Sequence, residues 1–452
     1  MSNDDCLVED APHIVLVNAW HDDNKGDSAI TAGVIRLAES AFPGSSLTVV
    51  GLTEGAAATA DGMRHVARAH PRVQTLPMPI PTELRGHDHA TPAIDVPIWL
   101  GRLVAPTFAA LRGRPHRGYA RIFADADLVI GVGGSNLYTD TSVHPLVSMA
   151  RLFTLSVPIQ TAGRLAIPTV LLGHTLGPFP SSRPVTARVA RRMLHGADVT
   201  VVRDGASLQT ADVLGLPNAE LAPDMAYAIE PVVSERVSTI IDDQPAPMHR
   251  TVVVAMRSHP SLGADSDARV CDEVVRAVTE LRRGGLIDHV LVVAHTLGPT
   301  EIEDDRPISR TLTTMLAEQR VPATYLDADL GPEELAGLYG RAAAMIAVRL
   351  HAAVLAMLSG TPTFAIAYFS SKSAGVMTSA GLADCVGEFA DVTANEIVGA
   401  LEPRMTDPGC RKRLARTSRE HRDHLISRAA EWLRGARPHN RIRERTADRG
   451  SR

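Results

Sequence analysis

Lysine is almost missing from this chain: Lys25, Lys372 and Lys412 stand alone among 46 basic residues, the rest being arginine. A coding bias toward arginine replaces lysine wherever a planar guanidinium serves as well. The survivors mark places that need a compact, mobile ammonium, or places that chance spared. Cysteine is scarce too. Cys6, Cys271, Cys385 and Cys410 lie far apart with no C-x-x-C pair, which argues against a disulfide framework or a zinc site and fits a reducing cytoplasm. No run of 18 uninterrupted apolar residues occurs, so no membrane-spanning helix is expected. The acidic stretch Met1–Asp10 lacks the basic-then-apolar pattern of a secretory signal. An excess of positive charge is absent as well: the formal net charge of −5 gives no global field for nucleic acid.

What is present is an ordinary globular composition, 45 % apolar and 21 % charged, in 452 residues, too much chain for one core. Apolar runs predict strands at His13–Trp20, Leu47–Leu52, Asp127–Gly131, Pro168–Leu172 and Val199–Val202. Helical spacing appears at Ser28–Ser40, Trp99–Leu111, Arg188–Leu194 and Ser207–Leu214. Val73–Pro92 is proline-rich and reads as a loop. Pro231–His249 lacks periodicity and reads as a linker. A second set follows, with strands at Thr251–Met256, His289–His295, Ala323–Leu326, Ala344–Val348 and Thr363–Ala367. Helices are expected there at Asp267–Arg283, Pro332–Arg341 and His351–Ser359. Strands alternating with helices predict the α/β class with parallel, doubly wound sheets. The expected division is a first domain at 11–230, a linker at 231–249, a second domain at 250–403, and an arginine-rich helix and tail at 404–452. The tail could touch phosphate-bearing glycolipids at a membrane surface, or be a solvated helix with a frayed end.

The segment Met345–Lys372 is the richest in chemistry. A strand ends at Val348, and Arg349 and His351 sit at the turn into a helix. Free N–H groups and a partial positive charge at that helix start favour an anion. Adding Arg349, His351 and Lys372 makes a site for a small polyanion, and histidine suits proton transfer near neutrality. The residues alone equally permit Arg349 to cap a neighbouring carboxylate and His351 to be a satisfied helix-start residue. Arg257, at the end of the second set's first strand, is a phosphate candidate. His295 is similarly placed, and a buried structural role suits it as well. Asn24 and Asp27 suit sugar hydroxyls, or Asp27 caps the Ser28 helix. Gly133 and Gly134 allow a ligand to approach the backbone, or make a tight turn. Arg203 could pair with Asp204, Asp224 or a ligand. Asp304 and Asp305 lie in a charged loop, and no metal site is assigned to them.

Taken in order, these segments resemble the polysaccharide pyruvyl transferases. Arg349-Leu350-His351-Ala352, Gly360-Thr361-Pro362, Tyr368 and Lys372 are similar to that family's C-terminal signature. Asn24-Lys25-Gly26-Asp27 resembles its N-x-G-D after the first strand. Gly131-Val132-Gly133-Gly134-Ser135 with Asp140 resembles its glycine-rich loop, with Val132 where a third consecutive glycine is often found. Gly173 to Phe179, Arg203-Asp204 with Ser207, and Pro223-Asp224-Met225-Ala226 resemble further family segments. The resemblance spans roughly Ile14 to Lys372.

The resemblance implies two Rossmann-like domains facing across a cleft, the GT-B-like glycosyltransferase architecture. It implies a cytoplasmic enzyme with no cofactor, whose donor substrate is phosphoenolpyruvate. The acceptor would be a saccharide or lipid-linked saccharide, in a bacterial cell-envelope context. The second domain would be the donor side and the first the acceptor side. Arg257, Arg349 and Lys372 would hold the donor's anionic groups, with His351 as acid or positioning residue. Asp27 or Asp140 would meet the acceptor and act as base. Asn24, Gly133, Gly134 and His295 complete the expected substrate contacts. The alternative on the same fold is a nucleotide-sugar glycosyltransferase, with Glu333 or Glu334 as the acidic residue of its nucleotide site. A non-catalytic sugar- or anion-binding protein ranks last, because Arg257, Arg349, His351 and Lys372 are all present.

Overall fold

The computed structural model describes residues 11–53, 55–80, 114–135, 137, 145–177, 179, 184–259, 262–368 and 370–436. Two parallel sheets organise them. The first contains β1 (His13–Ala19), β2 (Ser46–Gly51), β3 (Gln74–Pro77), β4 (Leu128–Gly134), β5 (Thr169–His174), β6 (Val199–Val202) and β7 (Ala219–Leu221) in the order 3-2-1-4-5-6-7. The second contains β8 (Thr251–Ala255), β9 (His289–Val293), β10 (Ala323–Leu326), β11 (Ala344–Ala347), β12 (Thr363–Ala367) and β13 (Val386–Glu388) in the order 10-9-8-11-12-13. Both are doubly wound. In each, the chain reverses direction across the sheet at one switch point, between β1 and β4 and between β8 and β11. Open parallel sheets bind ligands beyond the strand carboxyl ends at such points. The central strands read as short continuous apolar runs because helices cover both of their faces. Ile14 to Val17 and Val252 to Ala255 are all fully buried.

Several expectations need correction. The Val73–Pro92 loop contains strand β3, which pairs in parallel with Thr48–Gly51. Its edge position tolerates Pro77 at the strand end, since no further ladder donor is needed there. The expected helix Trp99–Leu111 lies outside the described residues. The helix after β1 begins at Lys25, three residues before the expected start. Asn24 rather than Asp27 caps it, its side chain accepting from the Asp27 N–H at 3.4 Å. Gly131 to Gly134 continue strand β4 rather than forming a loop. The segment read as a linker carries a helix, Glu235–Asp242, capped by Ser234 and buried through Val237.

The largest departure concerns the tail. Residues Cys410–Gly435 form one helix that leaves the second domain and lies on the first. Leu425, Ala429, Trp432 and Leu433 are buried against the helix Lys25–Ala41 and the short 3-10 turn Met225–Ala228. Each large apolar side chain buried there contributes about 1.5–3 kcal/mol. The polar contacts are specific too. Arg428 donates to Glu220 at 2.6 Å, Trp432 Nε1 donates to the same carboxylate at 3.0 Å, and His421 packs edge-on to Tyr227. At the other end, Arg411 donates to the carbonyls of Gly340 and Ala342. This helix is therefore a packed strap rather than a solvated one.

Candidate functional site

The site is built where the two switch points face each other. On the first domain, polar residues stand at consecutive strand ends. Ser135 follows β4, Thr175 follows β5, Arg203 follows β6, and Asp224 lies just beyond β7. Arg203 links them. Its Nε donates to Thr175 Oγ1 at 2.9 Å, its Nη1 to Asp224 Oδ2 at 2.7 Å, and its Nη2 reaches Ser135 Oγ at 3.4 Å. Asp224 is buried, and its Oδ1 accepts from the Ala226 N–H at 2.9 Å. Burial would raise the pKa of this carboxyl, but the Arg203 charge and then His351 outweigh it and hold the group well below the usual range.

On the second domain, Arg257 follows β8, His295 follows β9, and Arg349 with His351 follow β11. Arg349 is buried and saturated on one side. Its Nε and Nη2 fork onto Asp305, at 2.7 Å for the closest contact, and Nη2 also donates to the Glu303 carbonyl at 2.7 Å. The open alternative for this residue thus resolves toward a capped carboxylate. None of these bonds uses Nη1. Arg257 differs: its guanidinium lies over the Tyr368 ring, 4.4 Å from the centroid, and donates to the Tyr368 hydroxyl. Among the described residues no carboxylate pairs with it, and its Nε is buried without a partner. Burial, and then the nearby Arg349 charge, lower its pKa. His295 is fully buried, with Nδ1 3.1 Å from the Tyr339 hydroxyl and Nε2 unpartnered. Burial first, and then Arg349, His351 and Lys25, push its pKa well below the ordinary value.

His351 joins the two halves. It begins the helix Leu350–Leu358, yet its Nε2 lies 3.3 Å from Asp224 Oδ2 and 3.3 Å from Arg203 Nη1, both on the first domain. Its other face rests on Gly26, in the first turn of the helix Lys25–Ala41. A Cβ at that glycine would sit 2.4 Å from His351 Nδ1. Two helix N-termini therefore meet at one imidazole, and both add positive potential.

The remaining expected residues divide. Asn24 caps its helix and forms a single antiparallel bridge with Thr296 across the domains. Asp27 is half-buried one residue from Gly26. Gly133 is required by packing, because a Cβ there would lie 2.3 Å from the Leu172 carbonyl oxygen, and Gly134 has φ +114°. These glycines serve the strand rather than a turn. Lys372 sits in the helix Ser370–Ser379, with its side chain outside the described residues; Asp140 lies outside them altogether. Glu334 caps Gly331 and accepts from Ser234 Oγ at 2.6 Å, so its carboxylate is occupied within the fold.

Sequence reasoning missed the neighbouring ionic cluster. Asp329, from the loop after β10, receives Lys25 Nζ at 2.5 Å, Arg64 Nε at 2.7 Å and His65 Nε2 at 2.8 Å, all from the first domain. Lys25 is 1 % exposed. The scarcity of lysine was the one signal that pointed to this position.

Comparison with known proteins decides the family. A family described as polysaccharide pyruvyl transferase matches residues 24–371, from the Asn24 cap through the Arg349–His351 segment. The chain belongs to the polysaccharide pyruvyl transferase family. The amylovoran biosynthesis protein AmsJ of Erwinia amylovora is 24 % identical over 256 residues, 52 % of this chain and 57 % of that protein. The alignment thus spans little more than half of that relative's length. Solved structures agree in fold. UGT2 of Phytolacca americana superposes over 93 % of this chain and 98 % of its own, with a TM-score of 0.53 at 11 % identity. A putative UDP-N-acetylglucosamine 2-epimerase of Listeria monocytogenes covers 92 % and 94 %, with a TM-score of 0.55 at 10 % identity. The GT-B-like architecture of this family member follows. Among its described residues, no helix is long and apolar enough to cross a membrane.

Proposed function

We propose that this family member transfers the pyruvyl group of phosphoenolpyruvate to a pair of saccharide hydroxyls as a ketal, releasing phosphate. The observation that carries the reading is Arg257: a half-buried guanidinium with no carboxylate partner among the described residues, its Nε buried without a partner and its charge disfavoured by desolvation and by Arg349. Such a group binds an anion with the strength of a charge-assisted, geometrically fixed pair. The helix start at Leu350 adds backbone N–H donors next to Arg349, whose bonds to the described residues leave Nη1 unused, and Lys372 belongs to the next strand's exit. A phosphate and a carboxylate would both find donors there.

The chemistry balances as follows. His351 delivers a proton to the methylene carbon of phosphoenolpyruvate, leaving an oxocarbenium-like centre at C2. One acceptor hydroxyl adds to C2 and loses its proton, the C2–O bond to phosphate breaks, and the second hydroxyl adds and loses its proton to close the ketal. Fixed charges near C2 and close placement of the hydroxyls lower the barrier. Asp27, one residue from the Gly26 face of His351, is the candidate base on the acceptor side, with Asp140 as the other; Asn24, Gly133 and Gly134 are the candidate contacts of the acceptor and His295 of the donor. The test is phosphate release from phosphoenolpyruvate by the purified protein over a panel of free and lipid-linked saccharides. Acceptor-dependent release with a matching mass gain on the sugar supports the reading. Absence of release together with absence of phosphoenolpyruvate binding refutes it and favours a nucleotide-sugar transferase.

A further inference from the structure

The carboxylate that touches His351 is not on its own domain. We propose that Asp224 is a positioning residue for the transfer reaction: it fixes and charge-balances the His351 imidazole from across the cleft, so the proton donor is complete only with the domains closed. This rests on the function proposed above.

The placement of Asp224 does not depend on His351. It caps the 3-10 turn Met225–Ala228. That turn is wedged against the helix Lys25–Ala41 so closely that a Cβ at Gly33 would lie 2.0 Å from the Met225 carbonyl oxygen. On the other side, a Cβ at Gly173 would lie 2.5 Å from Met225 Cγ. The backbone of the first domain therefore sets the carboxylate before the second domain arrives. Arg203 and the Ala226 N–H already satisfy it at 2.7 and 2.9 Å. The approach of His351 Nε2 to 3.3 Å is thus an addition that the first domain's fold does not need.

The surroundings of the ring explain why a carboxylate belongs there. Arg203 faces it from β6 and Arg349 precedes it on its own helix. Lys25 and Asp27 flank Gly26 on the facing helix, and His295 lies within electrostatic reach from β9. In this largely cationic setting, Asp224 is the anion in contact with the imidazole. An orienting carboxylate beside a histidine fixes the tautomer and stabilises the charged ring, without being consumed in the reaction. Since Gly26 closes the opposite face, both of the ring's supports belong to the first domain.

The test compares the parent with Asp224→Asn and Asp224→Glu, read as kcat, KM for phosphoenolpyruvate and the pH dependence of kcat. A parent that releases no phosphate with any acceptor refutes the proposed function itself. With an active parent, Asp224→Asn is expected to lower kcat by about 100-fold while KM for phosphoenolpyruvate changes by less than about threefold. The alkaline limb of its kcat profile should move to lower pH. Asp224→Glu, which keeps the charge, should recover part of kcat and the parent's limb. In a His351→Ala background, Asp224→Asn should cost nothing more. Parental kcat and pH profile in Asp224→Asn would overturn the proposal, as would a loss confined to KM. A further loss in the His351→Ala background would also overturn it. So would an Asp224→Asn protein that fails to fold, because that would place the carboxylate in the service of the fold alone.

Discussion

Replacing Asp329 with alanine should weaken the junction between the domains by far more than loss of a surface ion pair. The Lys25 ammonium is 1 % exposed and donates to Asp329 at 2.5 Å, with His65 Nε2 3.0 Å away. Without Asp329, a buried cation is left facing a histidine. Removing one member of a fully buried pair costs about 3–5 kcal/mol. The Asp329 side chain is 36 % exposed, so water screens part of this, and about 2–3 kcal/mol is the expected loss. Urea unfolding followed by circular dichroism measures it. Asp288→Ala is the control, since Asp288 pairs with Arg250 at the surface at 2.7 Å, and it should leave the midpoint near that of the parent. Adding Lys25→Met to Asp329→Ala should restore at least half of the loss, because a buried apolar pair avoids the stranded charge. An Asp329→Ala midpoint equal to the parent's would refute the reasoning, as would a double variant no more stable than the single.

Three further outcomes follow from the same geometry. His351→Ala should lower kcat by at least about 100-fold with an unchanged circular dichroism spectrum; full turnover would remove His351 from the chemistry. Gly26→Ala introduces a Cβ 2.4 Å from His351 Nδ1, so the ring must move, and kcat should fall at least about 10-fold while the protein still folds. The pH dependence has a definite sign. Burial alone would raise Asp329, but hydrogen bonds from His65, Arg64 and Lys25 outweigh it and hold the carboxyl well below the usual range. Its contribution to stability is therefore full above the unfolded value of about 4 and is lost as pH falls below it. The gap in urea midpoint between the parent and Asp329→Ala should be present near neutral pH and should narrow as pH falls below about 4.

Local pattern made much of this protein legible. The apolar runs of the central strands and the R-L-H-A turn at Arg349 appear where periodicity places them, because each is decided by residues within a few positions. The site's partners were harder to read. Arg349 meets Asp305 and Lys25 meets Asp329, pairs separated by 44 and 304 residues. No spacing rule reaches that far. The glycines at 131–134 look like a loop because glycine is usually read as a turn former. The cause at Gly133, the close approach of Leu172 and Gly173 on β5, and at Gly131, that of Leu171, belongs to the neighbouring strand. The helix Glu235–Asp242 is only eight residues long, too short for its apolar positions to establish a period. The strap Cys410–Gly435 looks solvated because its arginines dominate the composition, while the few side chains that decide its place, Leu425, Trp432 and Leu433 among them, are thinly spread.

That strap also constrains how the cleft can open. The chain passes between the domains twice, once near Ser234 and again along the helix that ends at Gly435. A body held by one thread can swivel about any axis, whereas one held by two swings like a door. Two attachments also mean that the polypeptide order and the physical halves do not coincide. A fragment ending at 230 would expose the bed of Trp432 and Leu433 and leave Glu220 without Arg428. Anyone dividing this protein into halves would need to carry residues 410–436 along with the first.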